Sequence, residues 1–186
     1  MNFRFSPKKT IQASAVLLKQ HAGRMSRLRL LKMLVIADRE ALAATLEPIT
    51  ADRVTAMDHG PVLSQTYNML KGMSSDSSLW DQYISQEGPQ DHRLICDPGV
   101  GSLSRYEIDK LIEICDRFRN KNDYDLANYT HEFQEWQKNK PPEGSSRPIP
   151  LEDILEALGM TDKVERLKAT IKEEHELDRL FGAART

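Results

Sequence analysis

The stretch around the dipeptide Gly60-Pro61 is the most informative part of the chain, because it restricts its own backbone. A residue that precedes proline is biased toward extended angles, and proline is well tolerated in the first turn of a helix, where its missing N–H costs nothing. Leu63, Tyr67 and Leu70 follow at helical spacing. We therefore predict that a helix begins at Pro61 and buries this apolar face.

Two helices are predicted upstream of this segment. Ser6 followed by Pro7 is typical of a helix start, and this first helix is expected to end near Gly23. Ser26 can cap a second helix, whose strong helix formers and wide apolar arc predict a central position in the domain.

Downstream segments add a short β excursion and more helices. A helical turn is predicted near Thr50 or Asp52, a loose β-hairpin around residues 87–89, and a helix opened by a capping box of Ser104 and Glu107. Thr130 is expected to cap a helix that carries Phe133 and Trp136. Further helices are predicted over residues 122–129, 150–158 and 161–181, and residues 141–146 form a clear loop. The sequence thus predicts a mainly α, single compact multi-helix domain with a small β-hairpin and a long C-terminal helix.

The apolar stripe of the last helix changes phase partway along. Val164, Leu167 and Ile171 form one stripe, which breaks at residues 173–174 and resumes out of phase. Either the far end projects and buries its apolar side chains against a partner, or the helix bends or ends earlier. The partner-binding candidates at this end are Leu177, Leu180 and Phe181.

Composition narrows the class of protein. The chain has 186 residues, 39% of them hydrophobic and 29% charged, which suits one globular domain with its own core. Cys96 and Cys115 lack metal-site spacing and are interpreted as small buried hydrophobes, which favours a reducing cytoplasm. No apolar run is long enough to cross a bilayer, so we expect neither secretion nor a membrane span.

Positive charge is concentrated in the first two predicted helices. The formal net charge is −2, yet no carboxylate precedes Asp38. Arg24 and Arg27 could contact an acidic partner, although a solvated helix face is the commoner explanation. Nucleic acid is an unlikely partner because the segment lacks interleaved aromatic side chains and a helix-turn-helix pattern. A DNA-binding autoregulator would need one continuous positive face.

Local motifs of catalysis or cofactor binding are not found in the sequence. Residues 99–102 contain two glycines but lack the lysine of a phosphate loop and the third glycine of a dinucleotide site. The five histidines are too far apart for the helical motif of a zinc hydrolase. We expect no cofactor, no metal and no enzymatic activity.

Three sequence blocks carry a resemblance to a known family. They are residues 30–39, residues 57–67 and residues 130–136, and their order and spacing resemble the Panacea domain, the SocA-like antitoxin family of bacteria and their phages. One departure is Val35, where the family commonly places a tyrosine. The positions that match the family motif are Lys32, Asp38, His59, Gly60, Pro61, Val62, Tyr67, Thr130, His131 and Trp136.

The resemblance implies an antitoxin that acts by direct protein contact. It implies a cognate protein toxin encoded beside this chain, in a bacterial or prophage toxin–antitoxin system, and a role in phage defence. The alternative within the same class is a proteolytic adaptor that delivers the toxin to a cytoplasmic protease. The resemblance assigns residues 1–160 to the antitoxin domain and leaves residues 161–186 as a helical extension that packs on the domain or on a partner.

The two histidines of the motif admit two interpretations. His59 and His131 could meet with Asp58 in an open polar pocket and perform acid–base chemistry, since imidazole titrates near neutral pH. The more common alternative is a structural role at helix starts, with Trp136 and Tyr67 as core aromatic side chains. Packing of the histidines under these rings would favour a binding protein over an enzyme.

Overall fold

The computed structural model describes residues 3–182, with the side chains of residues 174, 175 and 178–182 left undescribed. Helices and short strands alternate along the chain. The helices are α1 (Pro7–Gln20), α2 (Arg27–Thr45), α3 (Ser64–Leu70), α4 (Ser77–Asp81), α5 (Arg105–Arg117), α6 (Asp123–His131), α7 (Gln134–Lys138), α8 (Leu151–Ala157) and α9 (Val164–Gly182), the last preceded by a 3-10 turn, Thr161–Lys163. The strands are β1 (Arg24–Ser26), β2 (Val54–Met57), β3 (Gly60–Leu63), β4 (Ile84–Glu87), β5 (Asp91–Leu94) and β6 (Arg147–Pro148).

Helix α2 is the centre of the core, as its wide apolar arc predicts. Ser26 caps it by accepting the N–H of Arg29 at 3.1 Å, and Ser6 caps α1 in the same way with the N–H of Lys9 at 3.3 Å. Leu30, which is fully buried, belongs to a stretch of α2 that faces neighbours on several sides. The elements packed against α2 are α1, α5, α6 and β3.

The strands form two small antiparallel sheets within the described residues. Strands β4 and β5 pair around residues 88–90, which confirms the predicted hairpin, and β1 adds to the other side of β5. The second sheet has the order β3-β2-β6. Because the sequence predicts only one hairpin, this second sheet makes the fold less purely helical than expected.

The predicted helix start at Pro61 is wrong. Gly60–Leu63 is strand β3, which pairs with Val54–Met57 across a two-residue turn, and Gly60 has a φ of +94° where extended angles are expected. Proline is compatible with this strand because β3 lies at the sheet edge. Helix α3 begins only at Ser64.

Asp52 explains why α3 begins where it does. The predicted helical turn near Thr50 or Asp52 is absent from the structure described there. Instead, the Asp52 carboxylate accepts the N–H groups of Gln65 at 3.0 Å and Thr66 at 2.7 Å, together with the Thr66 hydroxyl at 2.7 Å. These N–H groups belong to the first turn of α3, so a side chain distant in sequence caps the helix.

Two capping predictions around α5 to α7 have opposite outcomes. The capping box of Ser104 and Glu107 at the start of α5 is confirmed. Thr130 lies inside α6, where its hydroxyl donates to the Ala127 carbonyl at 2.8 Å, so its predicted role as the cap of the next helix is wrong. The helix that carries Trp136 follows Phe133 at its N-cap position.

The first half of α9 belongs to the core. Leu167 and Ile171 are buried and join the main hydrophobic cluster. Leu177 is 53% exposed. The side chains of Leu180 and Phe181 lie outside the described residues. Across residues 3–182, no helix has the length and hydrophobicity needed to cross a membrane.

Candidate functional site

A fully buried lysine supports the β2–β3 turn from below. Lys32 lies in the middle of α2, and its Nζ donates to the carbonyl oxygen of Pro61 at 2.8 Å. Among the side chains that the structure describes, no carboxylate forms an ion pair with Lys32, and desolvation is the cause that acts on it. Burial therefore lowers the pKa of Lys32 to about 7.

The side chains around Gly60 approach it so closely that no side chain fits at position 60. A Cβ atom at this position would lie 2.7 Å from the Lys32 Nζ, 2.7 Å from the Thr130 Oγ1 and 3.1 Å from the His131 Cδ2. The positive φ also favours glycine. Residues from all three motif blocks therefore meet at one point, although they are about 100 positions apart in sequence.

The third block contributes an aromatic pair beside this point. The rings of His131 and Trp136 are stacked, with centroids 4.3 Å apart, and the Trp136 Nε1 donates to the Met57 carbonyl at 3.1 Å. The Lys140 Nζ lies 5.5 Å from the centre of the Trp136 ring. Burial, followed by the positive charge of Lys32, lowers the pKa of His131, and its Nε2 has no hydrogen-bond partner.

The tip of the hairpin is the exposed part of the motif. Asp58 and His59 are exposed, and the Asp58 carboxylate accepts the N–H of Gly144 at 2.8 Å. The backbone of His59 interacts with the His131 ring, so the two histidines do lie together. The two histidines lie beside the packed Trp136, and the side chain of His59 is in solvent. This arrangement is expected of an exposed turn that packed side chains support from within.

Asp38 serves a separate part of the structure. Its carboxylate is buried and accepts the N–H of Thr50 at 2.9 Å and the Thr50 hydroxyl, which fixes the loop after α2. Burial raises the pKa of Asp38 to about 7. Ala51 in this loop has a φ of +59°, so the loop is strained and depends on such bonds.

An ion pair outside the motif positions joins the first and third blocks. Arg39 donates to Glu135 through Nε at 2.6 Å, and its guanidinium lies 4.3 Å from the centre of the Phe133 ring. Glu135 is buried. The only signal in the sequence is that Arg39 and Glu135 each adjoin a motif residue, and no spacing rule connects two residues so far apart.

A cavity of about 50 Å³ lies beside this ion pair. Val35, Leu42, Val54, Phe133 and Ile154 give it a mainly apolar lining. Val35 is the position that departs from the family pattern, and its short side chain forms part of the wall. The remaining motif positions are less central to this region, with Val62 buried in β3 and Tyr67 half-buried in α3.

The basic residues of the first helices are largely used within the fold. Arg24 forms ion pairs with Asp91 at 2.6 Å and Glu87 at 3.2 Å, and Arg27 donates to the Gln90 side chain at 2.9 Å. Other cations of this region are paired in the same way. These pairs are Lys9 with Glu107 at 2.6 Å, Lys19 with Asp97 at 2.7 Å, and Arg29 with Asp123 at 2.9 Å.

The cysteines differ from each other. Cys115 is buried, and burial raises the pKa of its thiol to about 12. Cys96 is exposed and follows β5, so its predicted burial is wrong. In the part of the chain that the structure describes, no group of three or more His, Cys, Asp or Glu side chains could hold a metal ion.

Comparison with protein families identifies the family of this chain. A family model described as "Antitoxin SocA-like, Panacea domain" matches residues 30–137. The chain belongs to this family. The match runs from α2 to α7 and includes the Lys32–Gly60–Thr130 contact and the His131–Trp136 stack. Comparison with curated proteins and with solved structures returned no match.

Proposed function

We propose that this protein is an antitoxin that neutralises a cognate protein toxin by direct binding. The observation that carries the proposal is membership of the SocA-like antitoxin family over residues 30–137. A toxin encoded in the neighbouring gene, in a bacterial or prophage toxin–antitoxin system active in phage defence, is the partner that this membership suggests. We place this activity in the cytoplasm.

The arrangement of the motif residues supports binding over catalysis. Lys32 and Thr130 are fully buried and use their polar atoms on backbone carbonyls. His131 is stacked on Trp136, and Asp58 is held by the backbone of residue 144. These contacts support a rigid scaffold beneath an exposed turn, whereas acid–base chemistry would need the same groups to converge on an open cleft.

We also propose a division of the chain into residues 1–160, which form the antitoxin domain, and residues 161–186, which form a helical extension. The first half of the extension packs into the core through Leu167 and Ile171. The exposed Leu177 supports a partner-facing role for the far end. Leu180 and Phe181 remain candidates for the same contact on their sequence spacing alone.

Co-expression with the neighbouring gene tests the proposed function. We expect that gene to inhibit growth alone and growth to recover when this chain is co-expressed, and the two proteins to copurify. The matched control is the Trp136→Ala variant, which should fail to rescue if it loses the folded domain. A harmless neighbouring product, or a toxic one that this chain neither binds nor counteracts, would contradict the proposal.

The level of the toxin distinguishes the two modes of neutralisation. Neutralisation by occlusion leaves the amount of toxin unchanged, whereas delivery to a cytoplasmic protease lowers it in an energy-dependent way. Quantitative immunoblotting of an epitope-tagged toxin after translation is blocked measures this difference. Because an inactive complex suffices for rescue, we expect a stable toxin level.

A further inference from the structure

A buried histidine lies at the centre of the sheet β1-β5-β4. His92 belongs to the middle strand, β5, and is 1% exposed. Its direct neighbours across the sheet are Met25 on β1 and Gln86 on β4, neither of which carries a charge. Among the described side chains, His92 is the one whose two ring nitrogens are both buried without a hydrogen-bond partner. Such a ring is costly even when neutral, because its one N–H group has no acceptor.

The surroundings of the His92 ring favour its neutral form. Burial lowers the pKa of His92, and the positive charge of Arg27 at the start of α2 lowers it further. The Gln90 carbonyl, the Asp91 carboxylate and the Leu70 carbonyl favour a proton on the ring, but each acts less strongly than burial. Helix α1 also packs against β5, and its buried face contains no titratable side chain. Protonation would therefore place a charge in a site that suits the neutral ring.

The opposite face of the same sheet is held together by ion pairs. Arg24 on β1 contacts Asp91 on β5 at 2.6 Å and Glu87 on β4 at 3.2 Å, and Arg93 on β5 contacts Glu87 at 3.1 Å. These pairs connect all three strands. Histidine is the only type of side chain in the sheet that ordinarily titrates between about pH 5 and 8. Mild acid therefore acts on the buried face of the sheet through His92.

Backbone bonds attach the β4–β5 hairpin to the connection between α1 and α2. The Arg27 N–H donates to the Gln90 carbonyl at 2.7 Å, and the Leu94 N–H donates to the Gly23 carbonyl at 2.8 Å. The hairpin itself is short, since each of its strands has four residues. A small unit of this kind can open while the helical core stays folded.

We propose that His92 makes the β4–β5 hairpin a pH-sensitive element, which is closed at neutral pH and opens when the ring takes up a proton in mild acid. The inference is independent of the proposed function. In an open hairpin the ring is in water and regains the ordinary histidine pKa of 6.5, whereas the closed hairpin holds that pKa lower. The open form therefore binds more protons below pH 6.5, and each further unit of acidification favours opening by up to about tenfold.

Titration of the histidine ring in the full chain is the first test. The ring signals of His92, followed by NMR between about pH 8 and 5, should change at a lower pH than the 6.5 of an ordinary histidine. The spectrum of His92→Gln assigns the signal. A His92 ring that titrates at or above pH 6.5 would overturn the proposal, because the closed hairpin would then not disfavour the proton.

Amide hydrogen exchange measures the opening itself. Between about pH 7 and 5, the protection factors of residues 84–94 should fall at least about fivefold relative to those of α5. His92→Phe keeps a ring without a titratable nitrogen and should abolish this fall, with His92→Leu as a second variant should the first not fold. The matched variant His59→Phe, at the exposed β2–β3 turn, should retain it. An equal fall in the parent and the His92 variants, or in the hairpin and α5 alike, would overturn the proposal.

Discussion

At position 60 the chain has room for a hydrogen atom and for nothing larger. The Lys32 Nζ and the Thr130 Oγ1 would each lie 2.7 Å from a Cβ atom there, and neither group can move easily because both are buried and hydrogen-bonded. Position 60 therefore requires glycine for steric as well as conformational reasons. Through this close contact the hairpin tip packs directly against α2 and α6.

Substitution of Gly60 by alanine should destabilise the protein by about 3 kcal/mol, because the strain of a positive φ adds to the steric clash. The matched control is Gly144→Ala, where φ is +74° but no atom lies within 4 Å of the added Cβ, so only about 1 kcal/mol is expected. Urea denaturation measures both values. Equal losses in the two variants would show that the contact with Lys32 and Thr130 is unimportant.

Two buried groups of α2 should make the free energy of unfolding depend on pH in opposite directions. The pKa of Lys32 falls from 10.5 to about 7, so the unfolded chain binds more protons between these values and stability rises with pH. The pKa of Asp38 rises from 3.8 to about 7, so the folded chain binds more protons and stability falls as pH rises through that range. Each slope approaches about 1.4 kcal/mol per pH unit.

Difference curves separate these two contributions from those of all other groups. Urea denaturation between pH 4 and 10 should show that Lys32→Met removes the rise above pH 7 and that Asp38→Asn removes the fall below it. A variant curve that runs parallel to that of the parent protein would mean that its group has the same pKa in the folded and unfolded chain.

At the scale of elements, helix α3 depends on a residue outside it. Asp52 accepts two N–H groups of its first turn and the Thr66 hydroxyl, while the turn itself follows directly from strand β3. The hairpin and the helix are thereby joined into one unit. This unit explains why the segment 60–70 changes from strand to helix without a loop between them.

Replacement of Asp52 by alanine should cost about 2 kcal/mol, since it leaves several buried donors without an acceptor. Asp76→Ala is the matched control, because Asp76 occupies the N-cap position of α4 without a side-chain capping bond and its loss should cost under about 0.5 kcal/mol. Thermal melts and hydrogen exchange of residues 64–70 measure the effect. Unchanged exchange in the Asp52 variant would contradict the role of this carboxylate.

At the scale of the whole molecule, the first half of α9 lies beside the N-terminal segment. Leu167 and Ile171 lie with Phe3, Leu46 and Ile49 around a cleft of about 390 Å³. Leu177, six residues after Ile171, is 53% exposed. The first half of α9 thus contributes to the core, whereas Leu177 in its second half does not.

Truncation at two points separates these halves. A chain that ends at Ile171 should melt within about 2 °C of the parent, because the removed segment includes no contact to the core cluster among the described side chains. A chain that ends at Met160 should lose roughly 3–6 kcal/mol, since Leu167 and Ile171 are removed from the core. Circular dichroism melts measure both. Comparable losses in the two truncations would show that the outer half also packs on the domain.

The chain that ends at Ile171 also tests the proposal that the far end of α9 binds the partner. With the domain folded, loss of residues 172–186 should speed dissociation of the toxin and leave its association rate nearly unchanged, because apolar contacts act mainly on dissociation. Surface-binding kinetics with the cognate toxin measure this. Unchanged dissociation would assign the outer half of α9 no role in recognition.

The sequence alone determined the elements whose signals are local. Ser6, Ser26 and the Ser104–Glu107 box cap helices within four residues of themselves, and the residues of the family motif are recognisable by order and spacing. Family membership and the mainly helical class follow from such signals. Tertiary structure decided the rest.

Pro61 suits the first turn of a helix and Leu63, Tyr67 and Leu70 have helical spacing, but pairing with residues 54–57 and the Asp52 cap make the segment 60–70 a strand followed by a helix. The same holds for the charges of the first helices, whose carboxylate partners lie 63 to 98 positions away. Local hydrogen bonds can be read along a chain, whereas burial, strand pairing and charge compensation depend on contacts between distant residues, which only the folded molecule brings together.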